Sequence, residues 1–524
     1  MAKHPERRVA PEPGRRRWLM HSLVAASALV VAIGMLAVRN DPGTDTAAAA
    51  GPDESKIAAL AVEAGLPPST APFKLASGLE TKAAGAGANP AGSSSGSTAT
   101  TRSPGTGSPA PTPTAPGTTS PSPTAPATTR APAPPTTSAA AGAGGNTNGP
   151  GIPALKLDGA VFYVDPAGND AAGGGAGDPW RSLAASVAKL RAGDTLLART
   201  GDYAPVNAHL TGTAGAWITV AAEPGNSPRI VGANTNELFL IADSQYVDLR
   251  GFELAGSPDD HSNTGGVAID RSHHVRVSAL QVHDVPSGGI SGVGSSHVQI
   301  ERNTVWNTSF WSGYATSGIS FYEGSMSGGA NGDGYTDYVR NNVVYGIYNK
   351  VNSQWDGTHT DGNCIIIDRH DDVGYAGATL IQNNLCHDNG GRGVHVFRSS
   401  NVTAVNNTVV NNNLDPVIGR AGAGELSALY ASNVVFRNNL VVAGGGSRIM
   451  LFQASGITLD SNLYVGAPEH PGANDIVVGD PVISSYRPQA GSPAIDAGSA
   501  TAAPSTDIRG ATRRGAPDVG AYES

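Results

Sequence analysis

The stretches SSHVQIERNTVWN (residues 295–307) and SSNVTAVNNTVVN (residues 399–411) share one pattern: a polar turn, a short β-branched strand, an asparagine and a second short strand. Three further copies flank them: SHHVRVSALQV (272–282), ASNVVFRNNLVV (431–442) and ASGITLDSNLYV (454–465). Asn303, Asn342, Asn384, Asn407, Asn439 and Asn462 hold one position of the unit, at spacings of 39, 42, 23, 32 and 23 residues. A repeat of about 23 residues with insertions explains every gap, and units of that length bury their apolar faces only by stacking.

A leucine-rich repeat has a similar period but needs a leucine ladder, which is absent. Val/Ile strands between asparagine turns instead predict an all-β fold, a right-handed single-stranded parallel β-helix. Each coil would give three short strands, with coils about 4.8 Å apart. Asparagine suits the corners because it tolerates left-handed backbone angles and its amides can hydrogen-bond along a stack. Open sheet edges need covers. Asp178–Asp194 (DPWRSLAASVAKLRAGD) predicts a capping helix with Leu183, Val187 and Leu190 on one apolar face.

Composition divides the 524 residues into three parts. Residues 1–40 hold seven Lys and Arg against two Glu. Removing them from the chain's 34 basic and 43 acidic residues leaves a formal charge of −14. That balance excludes a nucleic-acid surface but permits a local basic patch for an acidic polysaccharide. Trp18–Val38 is apolar, follows Arg15-Arg16-Arg17, and is long enough to span a bilayer. It predicts export, as a membrane anchor in preference to a cleaved signal peptide, and Arg16–Met20 is similar to a twin-arginine signal. Residues 41–150 are Ala, Pro, Ser, Thr and Gly in long runs, with too few apolar side chains to offset ordering entropy. They read as a disordered spacer before a domain at 151–524. The expected setting is extracellular, at the cell envelope, with the protein a monomer.

FYVDPAGNDAAGG (162–174), the capping segment and AGDTLLARTGDY (192–203) resemble the opening of secreted bacterial β-helix proteins of the chondroitinase-B and alginate-lyase type. SPAIDAGS (492–499) with DIRGATRRGAPDVGAYE (507–523) resembles the tail of exported bacterial β-helix proteins. The resemblance covers about residues 160–524 and implies a pectate-lyase-like solenoid. Both motifs belong to the ends of the scaffold, so no catalytic residue is carried over. Lyases of this kind commonly use calcium and a lysine or arginine base.

Aligning Val267–Arg271, Ile319–Glu323, Ile365–Arg369, Val394–Arg398 and Leu426–Tyr430 places their first and third residues inward and their second and fourth outward. His395 then stands beside Ile366, and Asp368 between Tyr322 and Phe397. Arg369 and Arg398 stack at the strand ends, near Glu323. Inserted loops bring Trp306, Phe310, Trp311, Tyr314, Lys350, Trp355, Asp356, His359, Asp361, His370, Asp371, Asp372, Arg420 and Glu425 beside the same coils. Exposed rings among acids and bases fit a sugar-binding groove, with Tyr322, Trp311, Trp355, Glu323 and Phe397 as substrate contacts. The alternative is that the rings only pack the loops onto the body.

Three chemistries fit the pattern. A uronate lyase or epimerase would use Arg369, Arg392 and Arg398 against the carboxylate, and Lys350, His359 or His395 as base. Asp368, Asp371 and Asp372, with Asp361, could bind Ca²⁺ through oxygen ligands. An inverting glycoside hydrolase would pair Asp368 with Asp361, Asp371 or Asp372. A non-catalytic glycan binder would use the same groove. HTDGNC falls short of a zinc ligand set and ANGDG of an EF-hand. His283-Asp284 and His387-Asp388 read as corner residues and Gly390–Gly393 as a bend. Cys364 and Cys386, the only cysteines, read either as a disulfide or as buried thiols.

Overall fold

A computed structural model describes residues 154–155, 157, 159–325, 330–355, 357–418, 423–444 and 447–524. The basic stub, the Trp18–Val38 segment and the spacer lie outside the described residues, as do Asp356 and Arg420. Among the described residues no helix is long and apolar enough to cross a membrane.

Three parallel ladders form the walls of a coil stack. The first runs through Glu237–Ala242, Gly265–Asp270, Ile290–Val293, Ile319–Tyr322, Ile365–Asp368, Val394–Phe397 and Gly424–Arg437. The second runs through Gln245–Arg250, His273–Ser278, Ser296–Glu301, Asp337–Arg340, Thr379–Gln382 and Ser400–Val405. The third runs from Glu253–Ala255 through Gln281–Val285, Thr304–Thr308, Val343–Tyr345 and Leu385–His387 to Ile476–Val478. Each wall pairs a strand with its counterpart one coil away, so a short β-branched strand finds its hydrogen bonds in its neighbour rather than in itself. The expected register holds: Val267, Ile290, Ile319, Ile365, Val394 and Leu426 form one inward row. Ile290–Val293 adds a coil that the sequence alignment passes over.

Inward side chains fill one continuous core, with Ile365, Ile367, Val394 and Val396 wholly buried. Each such side chain contributes roughly 1.5–3 kcal/mol of transfer free energy. The predicted capping helix is shorter than expected, only Leu183–Val187. Leu183, Val187 and Leu190 nevertheless enter the same core.

The asparagine ladder is present, but for a different backbone reason. Asn342 Nδ2 donates to Asn384 Oδ1 (3.0 Å), Asn384 to Asn407 (2.9 Å), Asn407 to Asn439 (3.0 Å) and Asn439 to Asn462 (2.9 Å). The same oxygens accept the backbone N–H of the preceding coil's asparagine. Asp475 terminates the row by accepting from the Asn462 backbone N–H and Nδ2. Left-handed backbone falls one residue earlier, at Arg302, Asn341, Asn383, Asn406, Asn438 and Ser461. The corner therefore needs two residues, one for the bend and one for the amide.

The C-terminal tail, which the resemblance left without a position, packs on the side of the stack. It lies along the turns between the second and third walls. Asn383 Nδ2 donates to Thr506 O (2.8 Å), Asn406 Nδ2 to Asp518 O (2.9 Å) and Asn438 Nδ2 to Ser499 O (2.8 Å). Cys364 and Cys386 form a disulfide, which settles the open alternative. It ties the entry of Ile365–Asp368 to the third wall inside the core.

Candidate active site

The second and fourth residues of the first wall face away from the core, as the register requires. Ile366 and His395 form one outward pair and Asp368 and Phe397 the next. Yet Ile366 and His395 are only 5% and 4% exposed. Loops entering the neighbouring strands crowd this row. Gly391 N–H donates to Gly362 O (2.9 Å), and Asn413 N–H to Gly391 O (2.7 Å). A Cβ on Gly391 would strike the Asp361 carbonyl, and one on Gly393 would strike Val409. The Gly390–Gly393 bend thus lets Arg392 reach the row.

Among the buried polar atoms without a hydrogen-bond partner in this region are Asp368 Oδ1, Arg392 Nε, His395 Nδ1 and Ser427 Oγ. They come from three consecutive coils and the loop between two of them. Buried polar groups are normally paired, so a cluster of exceptions marks a place held for something other than the fold. Burial, with neighbouring Asp361, raises the Asp368 carboxyl well above its usual range. Burial, with the nearby Arg392 cation, holds the His395 imidazole well below its usual range. Burial also lowers Arg392, opposed by Asp361. Asp361 has a left-handed backbone and accepts from Asn363 Nδ2 at 2.8 Å. The pattern favours a protonated acid beside a neutral imidazole, an arrangement suited to acid–base chemistry.

The other expected site residues divide into two groups. Arg369 contacts Glu323 (3.6 Å) and Asp372 (2.9 Å), and Arg398 contacts Asp372 (2.8 Å). Tyr322, packed against Glu323, continues this edge, and its phenol is raised by burial and that carboxylate. Phe397 stands 5.9 Å from the His395 ring. These residues extend the row beside Asp368. Further out, Lys350 is exposed, with Nζ 5.6 Å from the Phe310 ring centroid. Trp311 stacks on His261 at 4.1 Å, and the exposed Trp355 lies 6.1 Å from Tyr314. His359 is tied by Nε2 to Asp415 at 2.9 Å. Lys350 and His359 are thus engaged on the loops, whereas His395 lies in the wall itself.

The calcium expectation meets a specific obstacle. Asp372 offers its two oxygens to two guanidiniums, and Asp371 Oδ2 accepts from Ser400 Oγ at 2.7 Å. A dication would have to displace both arginines. Among the described residues no group of three or more His, Cys, Asp or Glu is placed to hold a metal. The residues present do not fit the ion, and no step is derived through it.

Sequence reasoning missed Ser427, Asp415 and a buried Asp337–Tyr375 pair at the start of a second-wall strand. Asp337 accepts from Tyr375 Oη and from the Val298 backbone N–H. Burial raises it to about 6. His370 packs edge-on against Tyr375 at 4.6 Å and is held by burial at about 4. Ser427 lay in the aligned strands and needed only its outward position to be noticed. No local pattern marks Asp415 or Asp337, whose partners lie 56 and 38 residues away. His283 and His387 lie in third-wall strands rather than at corners, and the left-handed residues are Asp284 and Asp388, each bonded to its histidine's Nδ1 at 2.8 Å.

Two family models match the chain: a Pel9A-like right-handed β-helix region over residues 162–368 and a right-handed β-helix region over residues 339–467. The domain is a right-handed parallel β-helix. No curated protein matches the chain. Solved structures similar to this β-helix include pectate lyase Pel9A, at 18% identity and TM-score 0.46, covering 70% of this chain and 96% of that one. A rhamnogalacturonan lyase matches at 14% identity and TM-score 0.37, covering 60% and 87%. The A-module of the Azotobacter vinelandii mannuronan C-5 epimerase AlgE4 matches at 14% identity and TM-score 0.27, covering 55% and 89%.

Proposed function

We propose that the first wall of the β-helix binds a uronate-containing polysaccharide and acts on it by β-elimination or C-5 epimerisation. The observation that carries this reading is the cluster of unpartnered buried atoms on Asp368, Arg392, His395 and Ser427. Arg392 would face the uronate carboxylate, where negative charge builds up as the C-5 proton leaves. His395 hydrogen-bonds to the Ser427 backbone, which leaves Nδ1 as a buried acceptor. That nitrogen would take the C-5 proton. In elimination the C-4–oxygen bond breaks as the C-4–C-5 double bond forms, and protonated Asp368 would deliver a proton to the departing oxygen. In epimerisation a proton returns to C-5 from the opposite face.

A second reading rests on the Asp361–Asp368 pair. One carboxyl is raised by burial and by the other's charge, as in inverting glycoside hydrolysis. The two readings, and simple binding, separate on a panel of uronate and neutral glycans. Elimination gives an unsaturated, ultraviolet-absorbing product. Hydrolysis gives reducing ends without it, epimerisation gives neither but exchanges the C-5 hydrogen with solvent, and binding alone gives none of these. An EDTA arm tests calcium in the same assay.

We also propose that the protein works outside the cytoplasm. The buried Cys364–Cys386 disulfide supports this, since such bonds persist in oxidising compartments.

A further inference from the structure

A second polar cavity lies away from the wall just described. It holds about 290 Å³, near the lower end for small-ligand pockets, roughly 300 Å³. Three consecutive coils supply its floor. Glu301, Arg340 and Gln382 are paired in register at the ends of the second-wall strands. Arg302, Asn341 and Asn383 follow them in left-handed corners. The tail segment 504–506 closes the remaining side. Thr506 is fixed there by Asn383, and Asn383 in turn accepts from Arg513 at 2.9 Å.

Positive charge around this cavity exceeds its local compensation. Arg340 pairs with Glu301, with Nε at 2.9 Å. Glu301 is also the carboxylate felt by Arg250, Arg276 and Arg302. Arg250 has Asp248 as its own partner. Asp507, which also acts on Arg302, is committed to Arg509 at 2.7 Å. Arg276 lies over the Trp217 ring at 4.0 Å with its Nε buried and unpartnered. Arg302 is the least satisfied. Its Nε is buried without a partner, and Nη1 makes one long bond, 3.4 Å, to Ile508 O. Burial disfavours the charge on Arg250, Arg276 and Arg302 alike.

From this geometry we infer that the cavity is a second binding site, for the carboxylate of an acidic sugar residue. A guanidinium with unused donors matches a carboxylate oxygen pair. The amides of Asn341 and Gln382 and the hydroxyls of Ser505 and Thr506 suit sugar hydroxyls better than an apolar ligand. The inference does not depend on the reaction proposed for the first wall, because no residue is shared.

The test is calorimetric titration of the full chain with free galacturonate, free galactose and sodium sulfate. Galacturonate should bind, and galactose should not. Arg302→Asn removes the guanidinium while keeping a residue that tolerates the left-handed corner. Gln382→Glu places a negative charge in the cavity from an ordinary strand position, and so stands even where the first variant fails to fold. Either should weaken galacturonate by about tenfold or more, the loss expected for one charge-assisted hydrogen bond. Galacturonate affinity that is absent, or that is indifferent to Gln382→Glu, overturns the assignment. Sulfate binding as tightly as galacturonate also overturns it, because the cavity would then recognise a bare oxyanion.

Discussion

His395 stands directly across from Ile366 on the next coil, two residues before the point where Phe397 stands across from Asp368. The imidazole and the carboxyl therefore share one outer face, while the isoleucines between and beneath them are buried. Opposite shifts at the two groups follow from a shared cause. Burial penalises whichever form is charged, so it raises the acid and lowers the base.

That pairing predicts the pH profile. Activity needs His395 neutral, and its lowered pKa extends the acid limb below the usual histidine range. It also needs Asp368 protonated, so the alkaline limb should move when that residue changes. Asp368→Asn should lower kcat by a factor of about a hundred or more and flatten the alkaline limb, with the fold intact by circular dichroism. A profile with the wild-type alkaline limb in this variant would remove Asp368 from the chemistry.

Arg392→Met keeps much of the stem and removes the charge. If the arginine neutralises the substrate carboxylate, the variant loses kcat/KM on uronate glycans by about a hundredfold. The His395 imidazole should also titrate higher once the neighbouring cation is gone, as NMR of the ring would show. An unchanged imidazole titration would contradict the electrostatic coupling.

The asparagine ladder is a strong claim about stability. Asn407→Ala leaves the Asn384 backbone N–H and Nδ2 without the oxygen that accepts both. Two buried donors lose their partner, at a cost of about 2–4 kcal/mol. Urea unfolding measures it, and a change under about 0.5 kcal/mol would mean that the ladder is ornamental.

Glu425 ends a second amide row, accepting from the Asn412 backbone N–H (2.8 Å) and Nδ2 (2.6 Å). Burial raises it from 4.5 to about 8. A raised folded pKa means that its stabilisation is complete below about 4.5 and is lost as pH rises through about 8. His274 and His370, held at about 4, act in the opposite sense: their stabilisation is complete above 6.5 and lost as pH falls through about 4. Stability should therefore peak in mildly acidic solution. Glu425→Gln should flatten the alkaline fall in Tm, and a parallel fall in both proteins would disprove this source for it.

The disulfide closes a sequence separation of 22 residues. The chain-entropy account gives about 3 kcal/mol for such a loop. The double variant Cys364→Ala, Cys386→Ala should melt lower by several degrees while keeping its activity at low temperature, because neither sulfur faces the proposed cleft.

The coil stack was legible because its repeats impose a spacing that survives insertion, and because a one-residue slip would turn Ile365 and Ile367 out of the core. The same alternation placed Asp368 and His395 on one face. What the repeats could not show is how the intervening loops close over that face. Lys350 and His359 looked equivalent to His395 as bases, yet their partners, Phe310 and Asp415, are set by loop packing. Asp371 and Asp372 read as oxygen ligands in the sequence, and no local pattern shows that Arg369, Arg398 and Ser400 hold their oxygens. The tail's route along the walls depends on asparagines such as Asn406 and Asn438 that resemble other turn residues in sequence.

The most direct measurement is ultraviolet detection of unsaturated products from a uronate-glycan panel, comparing the wild-type chain with His395→Ala. The account predicts unsaturated product, or exchange of the C-5 hydrogen with solvent where the reaction is epimerisation, from at least one acidic glycan, and neither above background from the variant. Equal product from both proteins would contradict it, as would new reducing ends without any unsaturated product.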